Sequence, residues 1–300
     1  MSIDTIGKGL LSFPVTPFAG ESVDVRRFAE HVEWLTGFGP AGLFAAGGTG
    51  EFYALTLHEI EVVVRTAVEA VDGRLPVMAP SGFSLPMAVD LARRAEARGA
   101  SGVLLFPPYL IDGSQAGLAD YVRTVCQSTG LPVIIYHRSS AQYEPDTVAR
   151  LADELPNLVG LKDGVGDLDL LGRIISTAGE HLMYIGGIPT AEMIAVPSLA
   201  LGVSTYSSAI FNFLPTFAMR FYNAVRAGDA EYIRRAMREF LIPYSRIRSR
   251  EKGYAVAIVK AGMTVVGRTV GPTRAPVSPL RDDELELLRR LVAGPGSELA

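Results

Sequence analysis

The stretch PVIIYHRSSAQYEPDTVARLADELPNLVGLKDG, residues 132–164, contains two short apolar runs with an amphipathic segment between them. The runs begin at Pro132 and Val159, and the segment 145–154 carries apolar residues at helical spacing. Continuous apolar runs are typical of parallel strands that are buried on both faces, and the intervening segment is typical of a crossover helix. The stretch therefore predicts one strand–helix–strand unit.

The same unit recurs along the chain. Eight apolar runs begin at residues 10, 42, 76, 102, 132, 159, 183 and 202, and amphipathic segments such as 24–38, 57–71, 86–98 and 145–154 separate them. Asp24 and Thr56 stand at N-cap positions, and four glycines stand where helices end in a left-handed residue: Gly39, Gly73, Gly99 and Gly130. Eight such units with right-handed crossovers predict a (β/α)8 TIM barrel, and an open doubly wound sheet is the alternative.

The strand pattern ends after Ala209, and the rest of the chain has helical periodicity. Helices are predicted at 214–226, 230–248, 252–266 and 281–293, with a loop rich in Gly and Pro at 267–279. The first of these helices completes the barrel, and the others form a helical extension. We therefore predict a catalytic barrel over residues 1–227 and a C-terminal helical domain over residues 228–300.

The composition excludes several classes of protein. With 48% hydrophobic and 20% charged residues among 300, the chain can bury a large core, which excludes intrinsic disorder. The net charge of −4 provides no basic field for nucleic acid. No uncharged run approaches the roughly 18 residues of a membrane-spanning helix, and the start MSIDTIGKGL lacks a signal pattern. We expect a cytoplasmic protein that binds neither nucleic acid nor membranes.

Cysteine and histidine suggest no metal or disulfide chemistry. The single cysteine, Cys126, shares one helical face with Val122 and Val125, so we expect a buried thiol and no internal disulfide. The histidines are dispersed and have no paired ligand spacing: His31, His58, His137 and His181. We therefore expect no metal site.

Two reactive side chains are predicted at strand ends, which is where TIM barrels hold their active sites. Lys162 interrupts the apolar run that starts at Val159, and burial of an amine lowers its pKa and makes it a nucleophile for a carbonyl carbon. The alternative is a structural ion pair with Asp163 or Glu51. Tyr136 ends the preceding strand, where it is placed to transfer protons beside the amine or, alternatively, to act as a packed aromatic.

The turn GGTGE at residues 47–51 allows the backbone to approach a ligand closely. Its N–H groups are suited to hold a carboxylate, because they lie between a strand and a helix. Neither this turn nor GVGDLD at 164–169 has the three glycines of a dinucleotide-binding fingerprint. The sequence therefore points to a small anionic substrate and not to a nucleotide cofactor.

Four motifs resemble one known family in order and spacing: GGTGE at 47–51, FPPY at 106–109, Tyr136, and GLKD at 160–163. The family is the dihydrodipicolinate synthase and N-acetylneuraminate lyase superfamily of Schiff-base (β/α)8 enzymes. The resemblance implies that Lys162 forms the imine, that Tyr136 transfers protons and that no cofactor is needed. It also implies a homotetramer, a dimer of dimers, in which Tyr109 reaches a neighbour's site. The alternative is that Tyr109 covers its own barrel.

Departures from the two best-known branches narrow this expectation. Gly48 stands where the synthases carry a second hydroxyl residue, and Ala141 replaces their substrate-binding arginine. The segment IPT at 188–190 replaces the carboxylates with which the lyases hold their substrate's tail. The motifs GGTGEF at 47–52, YHR at 136–138 and TYSSAIFNF at 205–213 instead resemble a dehydratase branch, which removes water and CO₂ from a six-carbon keto sugar diacid.

That branch implies further binding residues at the strand ends. The near carboxylate is expected at Gly48 and Thr49, and the rest of the substrate along five residues: Arg138, Gly187, Thr190, Ser207 and Ser208. For Arg138, a salt bridge at the rim is the alternative. Three other functions stay open: a keto-deoxy sugar-acid aldolase, a dihydrodipicolinate synthase, and a catalytically silent sensor of sugar acids.

Overall fold

Eight parallel strands close into a barrel in the computed structural model, which describes residues 3–300. The strands are β1 (Leu11–Ser12), β2 (Gly42–Phe44), β3 (Val77–Phe83), β4 (Gly102–Pro108), β5 (Val133–His137), β6 (Leu158–Asp163), β7 (Met183–Gly186) and β8 (Thr205–Ser208). The ring closes because β1 pairs with both β2 and β8. This closure confirms the predicted TIM barrel and excludes the open doubly wound sheet.

Helices outside the ring follow the strands in turn. They are α1 (Val25–Thr36), α2 (Leu57–Val71), α3 (Leu85–Ala97), α4 (Gln115–Gln127), α5 (Pro145–Glu154), α6 (Leu168–Ala178), α7 (Ala195–Ala200) and α8 (Pro215–Ala227). The Asp24 carboxylate caps α1 by accepting from the Arg27 N–H at 3.0 Å. Thr56 caps α2 in a capping box with Glu59. Both predicted N-caps are confirmed.

The predicted left-handed glycines are confirmed in three places and wrong in one. Gly39, Gly73 and Gly99 have φ values of 69°, 68° and 77°. Gly130 does not have a left-handed φ, so that prediction is wrong. Its N–H donates to the Glu96 carboxylate at 3.3 Å, and a Cβ there would lie 3.1 Å from Oε1 of Glu96. Gly130 therefore allows a close approach to the Glu96 side chain and does not form a left-handed helix end.

The C-terminal segment is helical, as predicted. It contains α9 (Ala230–Ala236), α10 (Ile242–Arg248), α11 (Tyr254–Val265) and α12 (Asp282–Leu291), and a π-helical turn, Met237–Leu241, joins α9 to α10. Phe217 of α8 packs on Phe240 with ring centroids 4.7 Å apart, and Phe240 stacks on Tyr244 at 5.8 Å. One hydrophobic cluster thus joins the last barrel helix to the extension. The domain boundary between residues 227 and 228 remains a prediction.

Apolar side chains fill the interior of the barrel. Phe13 and Phe44 stack there with ring centroids 4.4 Å apart, and Leu104 and Ile134 belong to the same buried cluster. A larger cluster between strands and helices contains Cys126, which is buried as predicted, and burial raises the pKa of its thiol to about 12. Within residues 3–300, none of the helices combines the length and the apolar character needed to span a bilayer.

Backbone strain is concentrated at one end of the barrel. Apart from Asp72 at the end of α2, the non-glycine residues with positive φ lie at or just after the carboxyl ends of strands: Ala46, Glu51, Phe83, Leu110, Ser139 and Thr190. A left-handed conformation costs such residues roughly 1–2 kcal/mol each, and such strain clusters at functional sites. The strained loops therefore indicate the end of the barrel where a site is built.

Candidate active site

A cavity of about 760 Å³ opens at the carboxyl ends of the strands. Each strand, or the loop that follows it, contributes to the lining: Phe13, Gly48, Phe83, Phe106, Tyr136, Lys162, Gly187 and Ser207. Arg248 of α10 and Val256 of α11 complete the wall from the C-terminal segment. The cavity therefore lies at the end of the barrel where enzymes of this fold bind their substrates.

Lys162 stands on β6 inside this cavity and is 3% exposed. Its Nζ donates to the carbonyl oxygen of Gly187 at 3.2 Å and lies 3.8 Å from the ring centroid of Tyr136. Burial lowers the pKa of Lys162; the neighbouring Tyr136 opposes this shift, and the positive charge of Arg138 adds to it. The surroundings therefore favour the neutral, nucleophilic amine.

The structural ion pair considered for Lys162 is wrong, because both candidate carboxylates are occupied elsewhere. Asp163 accepts hydrogen bonds from the N–H groups of Val165 at 2.9 Å and Gly166 at 3.1 Å. Glu51 is fully buried and pairs with Lys260, whose Nζ lies 2.5 Å from Oε1. In the described chain, no acidic side chain lies within 4.0 Å of the Lys162 amine.

Tyr136 lies on β5 directly opposite Lys162 in the strand register. Its hydroxyl donates to the Gly187 carbonyl at 3.1 Å and accepts from Nη1 of Arg138 at 2.8 Å. Burial opposes ionisation of the phenol, but the charges of Lys162 and Arg138 outweigh this effect and lower the pKa of Tyr136. A phenol with a lowered pKa beside an amine is suited to move protons in both directions.

Two glycines make room for this pair. A Cβ at Gly187 would lie 2.7 Å from Cγ of Lys162 and 2.7 Å from the carbonyl oxygen of Asp163. A Cβ at Gly164 would lie 2.6 Å from Cε2 of Tyr136. Real Cβ atoms do not approach other atoms this closely, so both positions require glycine. Sequence reasoning excluded Gly164 from a nucleotide motif but did not identify this role.

The loop after β2 offers unused N–H groups to the cavity. Gly48 and Thr49 line it, and their backbone N–H groups donate to no acceptor in residues 3–300. In the ring, β2 is four strands from β6 in either direction, so this loop lies opposite Lys162. A Cβ at Gly48 would meet nothing within 4 Å. The arrangement therefore provides space and hydrogen-bond donors for a carboxylate across from the amine.

The binding residues predicted after β7 and at the end of β8 differ in whether they line the cavity. Thr190 has a left-handed φ of 58° and lines the cavity, as does Ser207. Ser208 does not line it, because successive strand residues face opposite sides. Its hydroxyl donates to Oε1 of Glu192 at 2.5 Å and accepts from the Phe211 N–H at 3.2 Å. The predicted substrate contact of Ser208 is therefore corrected to a position behind the wall.

Arg138 and Tyr109 both line the cavity but differ in exposure. Arg138 is half-buried, lines the cavity and forms no ion pair within residues 3–300, so the rim salt bridge considered for it is wrong. Tyr109 lines the cavity of its own chain but remains 69% exposed, and the next two residues, Leu110 and Ile111, are 81% and 67% exposed. These three side chains form an apolar tip beside the entrance.

Arg248 is a cavity residue that sequence reasoning missed. It ends α10, and Nη1 donates to the carbonyl oxygen of Pro189 and, at 2.8 Å, to Oγ1 of Thr190. No local motif surrounds it, because its position depends on the return of the C-terminal segment over the barrel. The histidines have separate surroundings; His137, for example, accepts at Nδ1 from the Tyr143 N–H at 3.0 Å. In the described part of the chain, no three His, Cys, Asp or Glu side chains are grouped to hold a metal ion.

Similarity to known proteins agrees with this geometry. The profile of the dihydrodipicolinate synthetase family matches residues 7–294. Proteins named probable 5-dehydro-4-deoxyglucarate dehydratase from Saccharopolyspora erythraea and Rhodococcus jostii are 55% and 54% identical over 288 residues. These alignments cover 96% of this chain and 93% and 95% of the two relatives.

The fold is likewise similar to that of solved structures. Dihydrodipicolinate synthase from Oceanobacillus iheyensis superimposes with a TM-score of 0.90 at 27% sequence identity, covering 98% of both chains. The enzyme from Bacillus clausii gives 0.89 at 28% identity, covering 97% of this chain and 98% of that one. The barrel and the helical extension are therefore shared with these enzymes over almost the whole length.

Proposed function

The chain belongs to the dihydrodipicolinate synthetase family, and we propose that within this family it acts as a decarboxylating 5-dehydro-4-deoxyglucarate dehydratase. The reaction removes one water and one CO₂ from 5-dehydro-4-deoxyglucarate and releases 2,5-dioxopentanoate. Identity of 51–55% with relatives of that name supports the substrate. The observation that carries the mechanism is the amine of Lys162 beside the phenol of Tyr136, both hydrogen-bonded to the Gly187 carbonyl.

The first step is formation of an imine on Lys162. Neutral Nζ attacks the ketone carbon of the substrate, the carbonyl oxygen leaves as water, and a C=N bond forms. Burial supports this step, because it lowers the pKa of Lys162. The protonated imine then acts as an electron sink, which is the role that a cofactor supplies in other enzymes.

The second step is elimination of the hydroxyl group next to the methylene. Ionised Tyr136 takes a proton from the methylene carbon, electrons move toward the iminium, and the neighbouring hydroxyl leaves as water with the proton that Tyr136 returns. Arg138 supports the ionised form, because its guanidinium donates to the phenolic oxygen at 2.8 Å. The product of this step is a conjugated imine.

The third step is loss of the far carboxylate. The electrons of its C–C bond enter the conjugated imine, and CO₂ leaves. Protonation of the resulting dienamine and tautomerisation of its enol give an aldehyde, and water then releases 2,5-dioxopentanoate and regenerates the Lys162 amine. Because the sink must already be conjugated, dehydration comes before decarboxylation.

The substrate is held at both ends of the cavity. The near carboxylate takes the free N–H groups of Gly48 and Thr49 and the Thr49 hydroxyl, which lie opposite Lys162 in the ring. Thr190 and Ser207 line the side that receives the hydroxyl-bearing carbons. Ser208 acts indirectly, through its hydrogen bond to Glu192.

Product analysis tests this function against the alternatives that the sequence left open. Incubation with 5-dehydro-4-deoxyglucarate is expected to give one CO₂ and one 2,5-dioxopentanoate per substrate. Stoichiometric pyruvate would identify an aldolase, whereas binding without turnover would identify a sensor. A dihydrodipicolinate synthase would instead consume pyruvate with aspartate semialdehyde. Each of these three results would overturn the proposed function.

The oligomer is part of the proposal. We infer a homotetramer, a dimer of dimers, in which the apolar tip of Tyr109, Leu110 and Ile111 is covered by a neighbouring subunit and Tyr109 joins the neighbour's Tyr136. The exposure of this tip supports an interface, since large exposed apolar patches mark interaction sites. Nucleic acid and membranes have no part in this proposal. A cytoplasmic location remains a prediction from the sequence.

Subunit complementation tests the exchange of Tyr109. Homo-oligomers of Lys162→Ala and of Tyr109→Phe are each expected to be impaired. After subunit exchange, a mixed dimer contains one site with intact Lys162 and intact Tyr109, and part of the activity should return. If exchange is demonstrated by native mass spectrometry and no activity returns, Tyr109 serves its own chain or has no role in proton transfer.

A further inference from the structure

Arg248 is a cationic side chain in the cavity wall that the proposed chemistry leaves without a role. It belongs to α10, outside the barrel, and reaches the loop after β7. Many arginines on the surface have acidic partners; Arg94, for example, pairs with Glu61 at 2.8 Å, and Arg123 pairs with Glu154 at 2.5 Å. Among residues 5–300, no carboxylate lies within 4.0 Å of the Arg248 guanidinium.

The contacts that Arg248 does make fix its position without a close ion pair, and its charge acts on the buried carboxyl of Glu192 only from beyond 4.0 Å. Nη1 donates to the Pro189 carbonyl and to Oγ1 of Thr190, and Nη2 has only a long contact of 3.4 Å with Ser249. A guanidinium has five N–H donors, so donors remain for a ligand. Because Oγ1 of Thr190 accepts from Arg248, the threonine's own hydrogen is left to donate.

The rest of the cavity provides groups for the near carboxylate and the ketone of the substrate. Gly48 and Thr49, whose N–H groups donate to no acceptor in residues 3–300, line one side, and Lys162 stands across the ring from them. Beyond Lys162 in ring order come β7 and its loop, which carries Thr190 and meets Arg248. Arg248 lines the same cavity as Gly48 and Lys162, so it is available to the other end of a six-carbon chain whose ketone is bound at Lys162 and one carboxylate at Gly48.

We propose that Arg248 and Thr190 form the binding site for the far carboxylate of the substrate, so that the helical extension selects a diacid. This inference rests on the proposed function. Arg248 supplies charge and N–H donors, and Thr190 supplies a hydroxyl donor whose orientation Arg248 sets. The alcohol analogue, with CH₂OH in place of that carboxylate, leaves the guanidinium without an anion and is bound less tightly.

Imine trapping tests this site without requiring turnover. The probes are 2-oxoadipate, a six-carbon 2-oxo diacid, and 2-oxohexanoate, which lacks the second carboxylate. Each is incubated with the full-length protein and borohydride, and mass spectrometry measures the concentration that half-saturates adduct formation on Lys162. Wild type should favour 2-oxoadipate by roughly tenfold or more, the usual worth of a charge-assisted hydrogen bond.

Arg248→Gln should abolish this preference by weakening 2-oxoadipate alone, and Arg248→Lys should restore part of it. Arg246→Gln, at an exposed position on the same helix, is the matched control and should behave as wild type. A preference that survives in Arg248→Gln, or that is lost in Arg138→Gln instead, overturns the proposal. If Arg248→Gln traps both probes poorly, the variant is misfolded, and Arg248→Lys is used in its place. A thermal midpoint of Arg248→Lys equal to that of the wild type shows that this variant is folded. If folded Arg248→Lys does not recover the preference for 2-oxoadipate, the proposal is also overturned.

The same experiment separates this inference from the proposed function. If the sugar diacid is not converted to CO₂ and 2,5-dioxopentanoate but 2-oxoadipate is still preferred through Arg248, the reaction is assigned wrongly and the diacid site stands. If turnover occurs and its KM for the diacid is unchanged in Arg248→Gln, the function stands and the site is wrong.

Discussion

Two lysines are buried equally in this molecule, and only one of them is suited to chemistry. Lys162 on β6 and Lys260 on α11 are each 3% exposed, and each lies over an aromatic ring, at 3.8 Å from that of Tyr136 and 4.1 Å from that of Phe18. Each also donates to a backbone carbonyl, of Gly187 at 3.2 Å and of Pro272 at 3.0 Å. Burial lowers the pKa of both amines.

The difference between them is a carboxylate. Nζ of Lys260 lies 2.5 Å from Glu51, which opposes the effect of burial and holds α11 against the loop after β2. Among the described residues Lys162 has no such partner, and the group beside it is a phenol with a lowered pKa. Burial alone therefore does not identify a nucleophile. A buried lysine without a counter-ion, placed in a cavity beside an acid–base group, is the stronger indication.

The largest expected effect is on turnover when Lys162 is replaced. Lys162→Ala should lower CO₂ release by at least about 10⁴-fold, because within residues 3–300 no other lysine lines the cavity to form the imine. Circular dichroism should show a folded protein. Lys260→Ala serves as the comparison, since its folded fraction should still form the borohydride adduct. Covalent mass added to Lys162→Ala by substrate and borohydride would contradict the assignment of the imine.

Replacement of Lys260 should act on stability instead. Lys260→Met leaves Glu51 charged and buried without its partner, so we expect the free energy of unfolding to fall by about 3–5 kcal/mol. Denaturant unfolding measures this change. The double variant Lys260→Met/Glu51→Gln should recover most of the loss, because it also removes the unpaired charge. If the double variant is no more stable than the single one, the pair does not account for the effect.

Tyr136→Phe replaces the phenol beside Lys162 with a phenyl ring, like the Phe18 ring beside Lys260. The imine should still form, since the amine and its burial remain, but the methylene proton has no acceptor. We expect kcat for CO₂ release to fall by roughly a hundredfold, within the range of a lost general base. Rapid borohydride quenching should show the Lys162 adduct accumulating. A kcat within about threefold of wild type would remove Tyr136 from the proton-transfer step.

Local pattern predicted most of the fold from sequence. Helices at 57–71 and 145–154 were predicted with the same bounds as the structure has, because both begin at clear polar or proline signals. The position of Lys162 at a strand end followed from one charged residue in an apolar run. Strand alternation also predicts that Ser207 and Ser208 face opposite sides of β8. The resemblance to the family placed both in the binding site.

Contacts between distant parts of the chain were not predictable in this way. Glu51 was considered as a partner for Lys162, but its partner is Lys260, which only the folding of α11 onto the barrel brings near. Arg248 reaches Thr190 for the same reason. The prediction of a left-handed Gly130 was wrong because a glycine after a helix can allow a close approach to a side chain as well as a left-handed turn.

The smallest expected effect compares the two lysines with the same substitution. Lys162→Met removes an amine whose burial is not offset by a carboxylate, and apolar replacement of buried charge is often neutral or stabilising. We expect the free energy of unfolding to rise by between zero and about 2 kcal/mol, whereas Lys260→Met lowers it. Denaturant unfolding across a range of pH measures both. Destabilisation of similar size in both variants would show that the carboxylate beside Lys260 does not make the two lysines differ in their contribution to stability.

The pH dependence gives the sign of this effect. In the folded chain the pKa of Lys162 is lowered by burial from its ordinary value of 10.5, so between the folded value and 10.5 the unfolded chain binds more protons. Stability therefore rises with pH in that interval. Below it, Lys162 is charged in both states and the full cost of burying an ammonium is present. The gain from Lys162→Met should accordingly be largest at the acidic end and shrink as the pH approaches 10.5. A gain that grows with pH would mean that the folded chain favours the ammonium form of Lys162, which contradicts a pKa lowered by burial.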